Sequence, residues 1–333
     1  MFAYVGSSDG DIHGYDVDRA TGALTPAGAW PAGSSPSFLA LTPDRRFLVA
    51  VCEGSDELVS FAVDPATGAL SQLDRTSSDG RGPAHVAIDS TGGHVLAANY
   101  GDGAVTMVAL APDGTFGARE ATLDSGANAH QVALAPGNDR AFVPNLGDDD
   151  VSQLLFDPVA GTLGFDVVAH VAVASGAGPR HLAFHPTAPW AWLLGETDDT
   201  LTTLAVDASG RLSVQGAGST LPAGADGNGN YTAELALDPT GRTLYASNRG
   251  DDSIARFSVD PATGAATLLD TTPTQGSWPR HFSLDPDGAL LAVGNQRSDT
   301  VVVFAVDPAT GALAYRTTTA VAGPAFVGIV ALP

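Results

Sequence analysis

PRHFSLDPDGALLAVGNQRSDTVVVFAVDPATGALAYRTTTA, residues 279–320, contains four short apolar segments separated by turn signals. PRHFSL alternates and stops at Asp285-Pro286-Asp287-Gly288, where Pro sets φ and Gly accepts a positive φ. ALLAVGNQ is a second apolar segment. TVVVFAVD is a third, and its β-branched run favours sheet. DPATG (307–311) then turns the chain into a fourth, ALAYRTTTA. Short turns make successive strands antiparallel neighbours. The unit is therefore a four-stranded antiparallel sheet, with strands a to d in chain order.

The unit recurs along the whole chain. An Asn-like position at the end of strand b, with an aliphatic six residues later, occurs at Gly6/Ile12, Cys52/Leu58, Asn99/Val105, Asn145/Val151, Gly195/Leu201, Asn248/Ile254 and Asn295/Val301. Successive spacings are 46, 47, 46, 50, 53 and 47 residues. Short alternating strands at such a period mark a β-propeller with one blade per repeat. The expectation is an all-β, seven-bladed propeller occupying residues 1–333 as a single domain, with helix content near zero. The first repeat lacks strand a, because FAYVGSS is already strand b. GPAFVGIVALP (323–333) reads as a strand a with no blade after it. The C-terminal strand should thus complete blade 1 and leave no open edge there.

The c–d turn recurs as DRATG (18–22), DPATG (64–68), DPVAG (157–161), DPATG (260–264) and DPATG (307–311). These Asp-rich turns have too few carboxylates at ligand spacing for calcium and read as hairpins.

Asp and Glu number 37 against 15 Lys and Arg, a formal net charge of −22, and every one of those basic residues is arginine. Such a surface repels nucleic acid and anionic membranes. Solubility maintained by loop Asp explains it plainly, and adaptation to high salt is the alternative. An anionic ligand would need a local arginine cluster to overcome the global field. The single cysteine, Cys52, excludes an internal disulfide. No basic leader, cleavage site or membrane-length apolar run is present, so the expectation is a cytoplasmic protein, monomeric or weakly homo-oligomeric.

In a propeller, strand a lines the central channel, and the d–a and b–c connections share one face. Strand a begins with Ser37-Phe38, Ala84-His85, His130-Gln131, Arg180-His181, Ala233-Glu234, Arg280-His281 and Ala325-Phe326. Strand b ends in Ser7, Glu53, Tyr100, Leu146, Glu196, Arg249 and Gln296. The opposite face receives only DPDG-, DPTG- and DPATG-type turns. Arginines, histidines and glutamates therefore converge on one channel mouth, where loops on a rigid scaffold carry function. Salt bridges such as Arg180–Glu196, stapling neighbouring strands, are the plainer explanation for individual members. The Asn column reads mainly as structural, since Asn tolerates left-handed backbone and bonds locally.

Other chemistries fit poorly. His181 and His185 lie four residues apart on a strand, too far to share a metal. His185 belongs to an a–b turn, and His13, His94 and His170 read as surface residues. No strand-turn-helix context for a GxSxG nucleophile is present. GADGNGN (224–230) has neither the Lys nor the helix of a phosphate loop, and reads as a flap partly covering the channel.

GAGPRHLAFHP (176–186) with LLGETDDTL (193–201), AELALDPTGRTLYASNRGDDSIARFSVD (233–260) and WPRHFSLDPDGALLAVGNQRSDTVVVFAVDPATG (278–311) resemble the seven-bladed propeller lactonases. That family includes 6-phosphogluconolactonases and a carboxymuconate lactonizing enzyme. By motif and order, the resemblance implies a site of His130, Arg180, Glu196 and Arg249. The chain departs from the usual pattern at Asp251, where the family commonly has His. The implied reaction is hydrolysis of an anionic sugar lactone, 6-phosphogluconolactone first, without cofactor or metal. Arg180 would stabilise the oxyanion, and Glu196 or His130 would be the general base. Arg249 and Arg280 would bind the anionic group, with His181, His281, Gln296 and Asn248 completing the substrate-binding set. A carboxymuconate cycloisomerase is the rival enzyme. A non-enzymatic propeller platform is the other rival, and it would show apolar rim patches instead of converging charges.

Overall fold

The computed structural model describes residues 1–332. Its strands form seven four-stranded antiparallel sheets. Six are built from consecutive strands, and the seventh joins Pro324–Val330 to Phe2–Ser7, Asp11–Val17 and Leu24–Pro31. The expected closure is present: Phe2 pairs with Val330 and Gly6 with Phe326. No helix occurs among the described residues.

Burial is graded from the channel to the rim. Strand b packs between neighbouring blades on both faces, so Phe47–Cys52 and Leu290–Asn295 are buried at every position. Strand d faces solvent, as in Leu313–Ala320, where no residue is fully buried. This is why the strand-b segments read as continuous apolar runs and the strand-d segments do not.

Aromatics on strand b lock three of the blades to the next. The Tyr4 hydroxyl donates to the Gly68 carbonyl (2.7 Å), Tyr245 to Gly311 (2.6 Å), and the Trp192 indole to Gly264 (3.1 Å). Their acceptors lie in c–d turns whose Asp is spent on its own backbone. Asp64 Oδ1, for example, accepts from the amides of Ala66 and Thr67 at 2.9 and 2.8 Å, while Gly68 takes φ 70°. The turns are hairpins, as their composition predicts.

Candidate active site

The inner strands are bulged where their functional residues begin. Register slips between Pro36 and Phe38, Pro83 and His85, Pro179 and Leu182, Thr232 and Leu235, and Pro279 and His281. A bulge places two residues opposite one and re-aims side chains. Regular alternation would send Arg180 and His181 to opposite faces, yet both border one recess in the channel, as do Arg280 and His281. In blade 4 the regular part of strand a shrinks to Ala133–Leu134, and His130 sits in the irregular stretch before it, held by its amide to the Pro144 carbonyl at 2.9 Å.

Two layers result. The upper is an open mouth of about 190 Å³ lined by Glu53, Ala84, Tyr100, His130, Glu196, Arg249 and Arg280. This suits a small polar molecule better than a chain segment. Below it lies a recess with room for about one water, bordered by Ser37, Phe38, His130, Arg180, His181, Arg280 and His281 among others. A larger groove on the turn face, lined by Thr42, Pro43, Phe47 and Pro112, has only Asp44 and Arg46 as charged members and lacks any converging set.

Glu196 is the electrostatic centre of the mouth. Its Oε2 lies 2.9 Å from Arg180 Nε and its Oε1 3.0 Å from Arg249 Nη2. Burial raises its carboxyl, but Arg180 and then Arg249 outweigh that and hold it below the usual carboxylate range. Arg180 also donates to the Ala233 carbonyl. Burial, aided by Arg249 and opposed by Glu196, lowers its guanidinium to about 9. Arg249 donates to the carbonyls of Tyr231 and Thr232 (3.2 and 2.9 Å). Arg280 is the least committed of the three, with Glu53 at 3.6 Å.

Beneath the recess, Glu234 joins two histidines. Its Oε1 lies 3.1 Å from His181 Nδ1 and its Oε2 3.0 Å from His281 Nε2. His281 Nδ1 accepts from the Val327 amide, which puts its proton on Nε2, toward Glu234. Burial pushes the Glu234 carboxyl up and all three imidazoles of His130, His181 and His281 down. His130 Nδ1, His181 Nε2 and Ser37 Oγ are buried without a partner, and all three residues border the recess. Orphaned buried polar atoms around one small space mark a place for a water or a ligand oxygen.

The predicted site residues therefore separate. His130, Glu196, Arg249 and Arg280 face the mouth, and Arg180 lies one layer down. His181 and His281, expected to touch substrate, border the recess and also clamp Glu234. Asn248, expected to bind substrate, is fully buried. Its Oδ1 accepts from the Thr220 hydroxyl at 2.8 Å and its Nδ2 donates to the Thr220 carbonyl at 3.3 Å. Its amide is spent pinning the chain, as the structural reading of the Asn column predicts. Gln296 lines neither the mouth nor the recess. No charged partner draws it inward, whereas Glu53 and Glu196 in the same column meet arginines. The 224–230 loop, read from the sequence as a flap, lines neither space. His94 is not a surface residue: it is buried, with Nδ1 2.6 Å from Glu120. His185 caps its turn, accepting from the Thr187 and Ala188 amides. Glu53, Tyr100 and Glu234 were absent from the predicted site set, although they occupy the same register columns as its members.

Comparison with known proteins agrees with this architecture. A family model described as "Lactonase, 7-bladed beta-propeller" matches residues 2–329. Among curated relatives, the 6-phosphogluconolactonase of Serratia proteamaculans is 28% identical over 277 residues, covering 83% of this chain and 82% of that protein. The 6-phosphogluconolactonase of Bacillus subtilis is 27% identical over 286 residues, covering 82% and 80%. The periplasmic gluconolactonase of Pseudomonas aeruginosa superposes with a TM-score of 0.93 at 29% identity, covering 100% of this chain and 99% of that one. With the bladed repeat and its closure matched along nearly its whole length, the chain belongs to the seven-bladed β-propeller lactonase family.

Proposed function

We propose that the protein hydrolyses an anionic sugar lactone, with 6-phosphogluconolactone the leading substrate. The observation that carries this reading is the convergence of Arg249, Arg280 and His130 on one small mouth, with Arg180 in the recess beneath it, in a chain of net charge −22. A binding platform would need no such set. The relatives named 6-phosphogluconolactonase support the reaction, and the gluconolactonase neighbour supports lactone chemistry on this scaffold.

In the proposed mechanism the lactone carbonyl oxygen enters the recess, between Arg180 and Arg280. These guanidiniums meet the charge that develops there. His130 borders both layers, and burial keeps it neutral, able to take a proton. It removes a proton from water as the water oxygen attacks the carbonyl carbon. It then returns that proton to the ring oxygen as the ester C–O bond breaks, which leaves a hydroxy acid. Glu196 is instead engaged by two arginines. Its role is to hold those arginines in place. Glu234, through His181, orients the floor of the recess.

The test is a coupled assay with 6-phosphogluconolactone generated in situ, spontaneous hydrolysis subtracted, and Arg180→Ala compared with wild type. Loss of one preorganised oxyanion partner should lower kcat by about 10²–10³. Equal turnover by the variant would remove Arg180 from the mechanism. The cytoplasmic location expected from the sequence is also proposed, and fractionation of the source cells tests it.

A further inference from the structure

The residue before strand a adopts left-handed backbone in six blades. It is Ser35 (φ 58°), Gly82 (57°), Asn128 (58°), Gly178 (61°), Trp278 (64°) and Gly323 (43°). Five are small or conformationally permissive. Trp278 is not, and a bulky side chain at positive φ is a true outlier.

The ring does not require tryptophan there. The Trp278 amide donates to Asp252 Oδ1 at 2.7 Å, as Gly82 does to Asp56 (2.6 Å), Gly178 to Asp149 (2.9 Å) and Gly323 to Asp299 (2.8 Å). Its carbonyl accepts from Gln296 as that of Gly178 accepts from Glu196. The same clasp closes on glycine elsewhere. Persistent backbone strain of this kind points to a use for the side chain.

That side chain bridges guanidiniums. Arg297 Cζ stacks 3.3 Å from a Trp278 ring centroid, and Arg249 Cζ lies 5.2 Å away. Tyr231 stands 5.9 Å from the indole. Arg249 is tied to Glu196, and Arg280 lies near Glu53. Arg297 has no ion pair and no side-chain hydrogen bond among the described residues, although acidic residues outnumber basic ones more than twofold. With Arg180, Arg249, Arg280 and Arg297 set against Glu53 and Glu196, the positive excess lies toward the rim at Arg297. Arg249 links this rim to the reacting end.

We propose that Trp278 and Arg297 form an outer subsite that receives a phosphate ester on the distal carbon of the lactone. Trp278 holds the Arg297 fork in place and presents an aromatic face to the sugar carbons. The subsite rests on the lactone-hydrolysis reading and decides between the phosphorylated and unphosphorylated lactones named among the relatives.

The experiment compares kcat/KM for 6-phosphogluconolactone and gluconolactone in wild type, Arg297→Ala, Trp278→Gly, and Arg242→Ala. The last removes an equal charge from an exposed turn on the other face. Arg297→Ala should lower the phosphorylated-to-unphosphorylated ratio by about 10- to 100-fold, mainly through KM, the worth of a charge-assisted contact. Trp278→Gly should lower it in the same direction with no fall in Tm, because glycine relieves the backbone. Arg242→Ala should leave the ratio unchanged. An unchanged ratio in both subsite variants, or equal loss on both substrates, overturns the subsite. Calorimetric titration with the products reads it without turnover: 6-phosphogluconate should bind wild type more tightly than gluconate, and Arg297→Ala should erase the difference. Selective product binding by an enzyme inactive on both lactones would support the subsite and overturn hydrolysis. Turnover without phosphate preference would do the reverse.

Discussion

Replacing Glu196 with Gln removes the negative charge shared by two buried guanidiniums. Glu196 meets Arg180 at 2.9 Å and Arg249 at 3.0 Å. Breaking a buried ion pair costs roughly 3–5 kcal/mol. Gln keeps an acceptor and the Glu196 side chain is 18% exposed, which places the expected loss at or below the bottom of that range, about 2–3 kcal/mol. Unfolding entropy of about 2 cal/mol/K per residue, taken over the whole chain, converts this to a Tm fall of about 3–4 °C. If Glu196 holds arginines and His130 is the base, kcat should fall only about 10-fold, from loosened oxyanion contacts, and the acid limb of kcat/KM should remain. Circular dichroism melting and the coupled assay across pH measure both. An unchanged Tm with a kcat loss of about 10³ or more and no acid limb would refute the assignment and make Glu196 the base.

Three further outcomes follow from the buried histidines and the ring closure. Burial and Arg180 depress His130, so kcat/KM should persist below the ordinary imidazole range and fall only as pH drops through that lowered value; an acid limb near 6.5 would contradict this. Because the folded state disfavours protonated His130, His181 and His281, with His281 lowered to about 4, stability should be full above about pH 6.5 and decline below it in pH-dependent melts. Removing residues 324–333 deletes the inner strand of blade 1 and exposes the edge of Phe2–Ser7. Val327 and Ile329 alone, both buried, account for about 3–6 kcal/mol, so cooperative unfolding should be lost or Tm strongly lowered. A truncated chain melting like wild type would show that the closure contributes little.

The blade count, the four-strand unit and the closure of the ring were legible because each depends on local periodicity and turn chemistry. Asp-Pro-Ala-Thr-Gly makes a hairpin wherever it stands, and a strand buried on both faces must be apolar throughout. The face carrying the charged residues was legible too, since register alone brings Arg180, Glu196, Arg249 and Arg280 to the same end of the blades. Depth was not. The bulges that turn Arg180 and His181 into one recess depend on pairing with the neighbouring strand, which leaves no mark in the alternation of a single strand. Partnership was hidden for the same reason. His181 and His281 clamp Glu234 because three blades, residues 47 and 53 apart in sequence, meet at one axis. Asn248 carries a useful amide, but the chain around Thr220 consumes it. Trp278 stands in the sequence as one more aromatic before a proline, and only the backbone angle it shares with glycines exposes the strain. Sequence by itself determined the scaffold and the cast of charged residues, because strand and turn preferences act over a few neighbouring positions. Tertiary structure decided which of those residues line the mouth and which hold the others, because that depends on distances between blades that no local preference encodes.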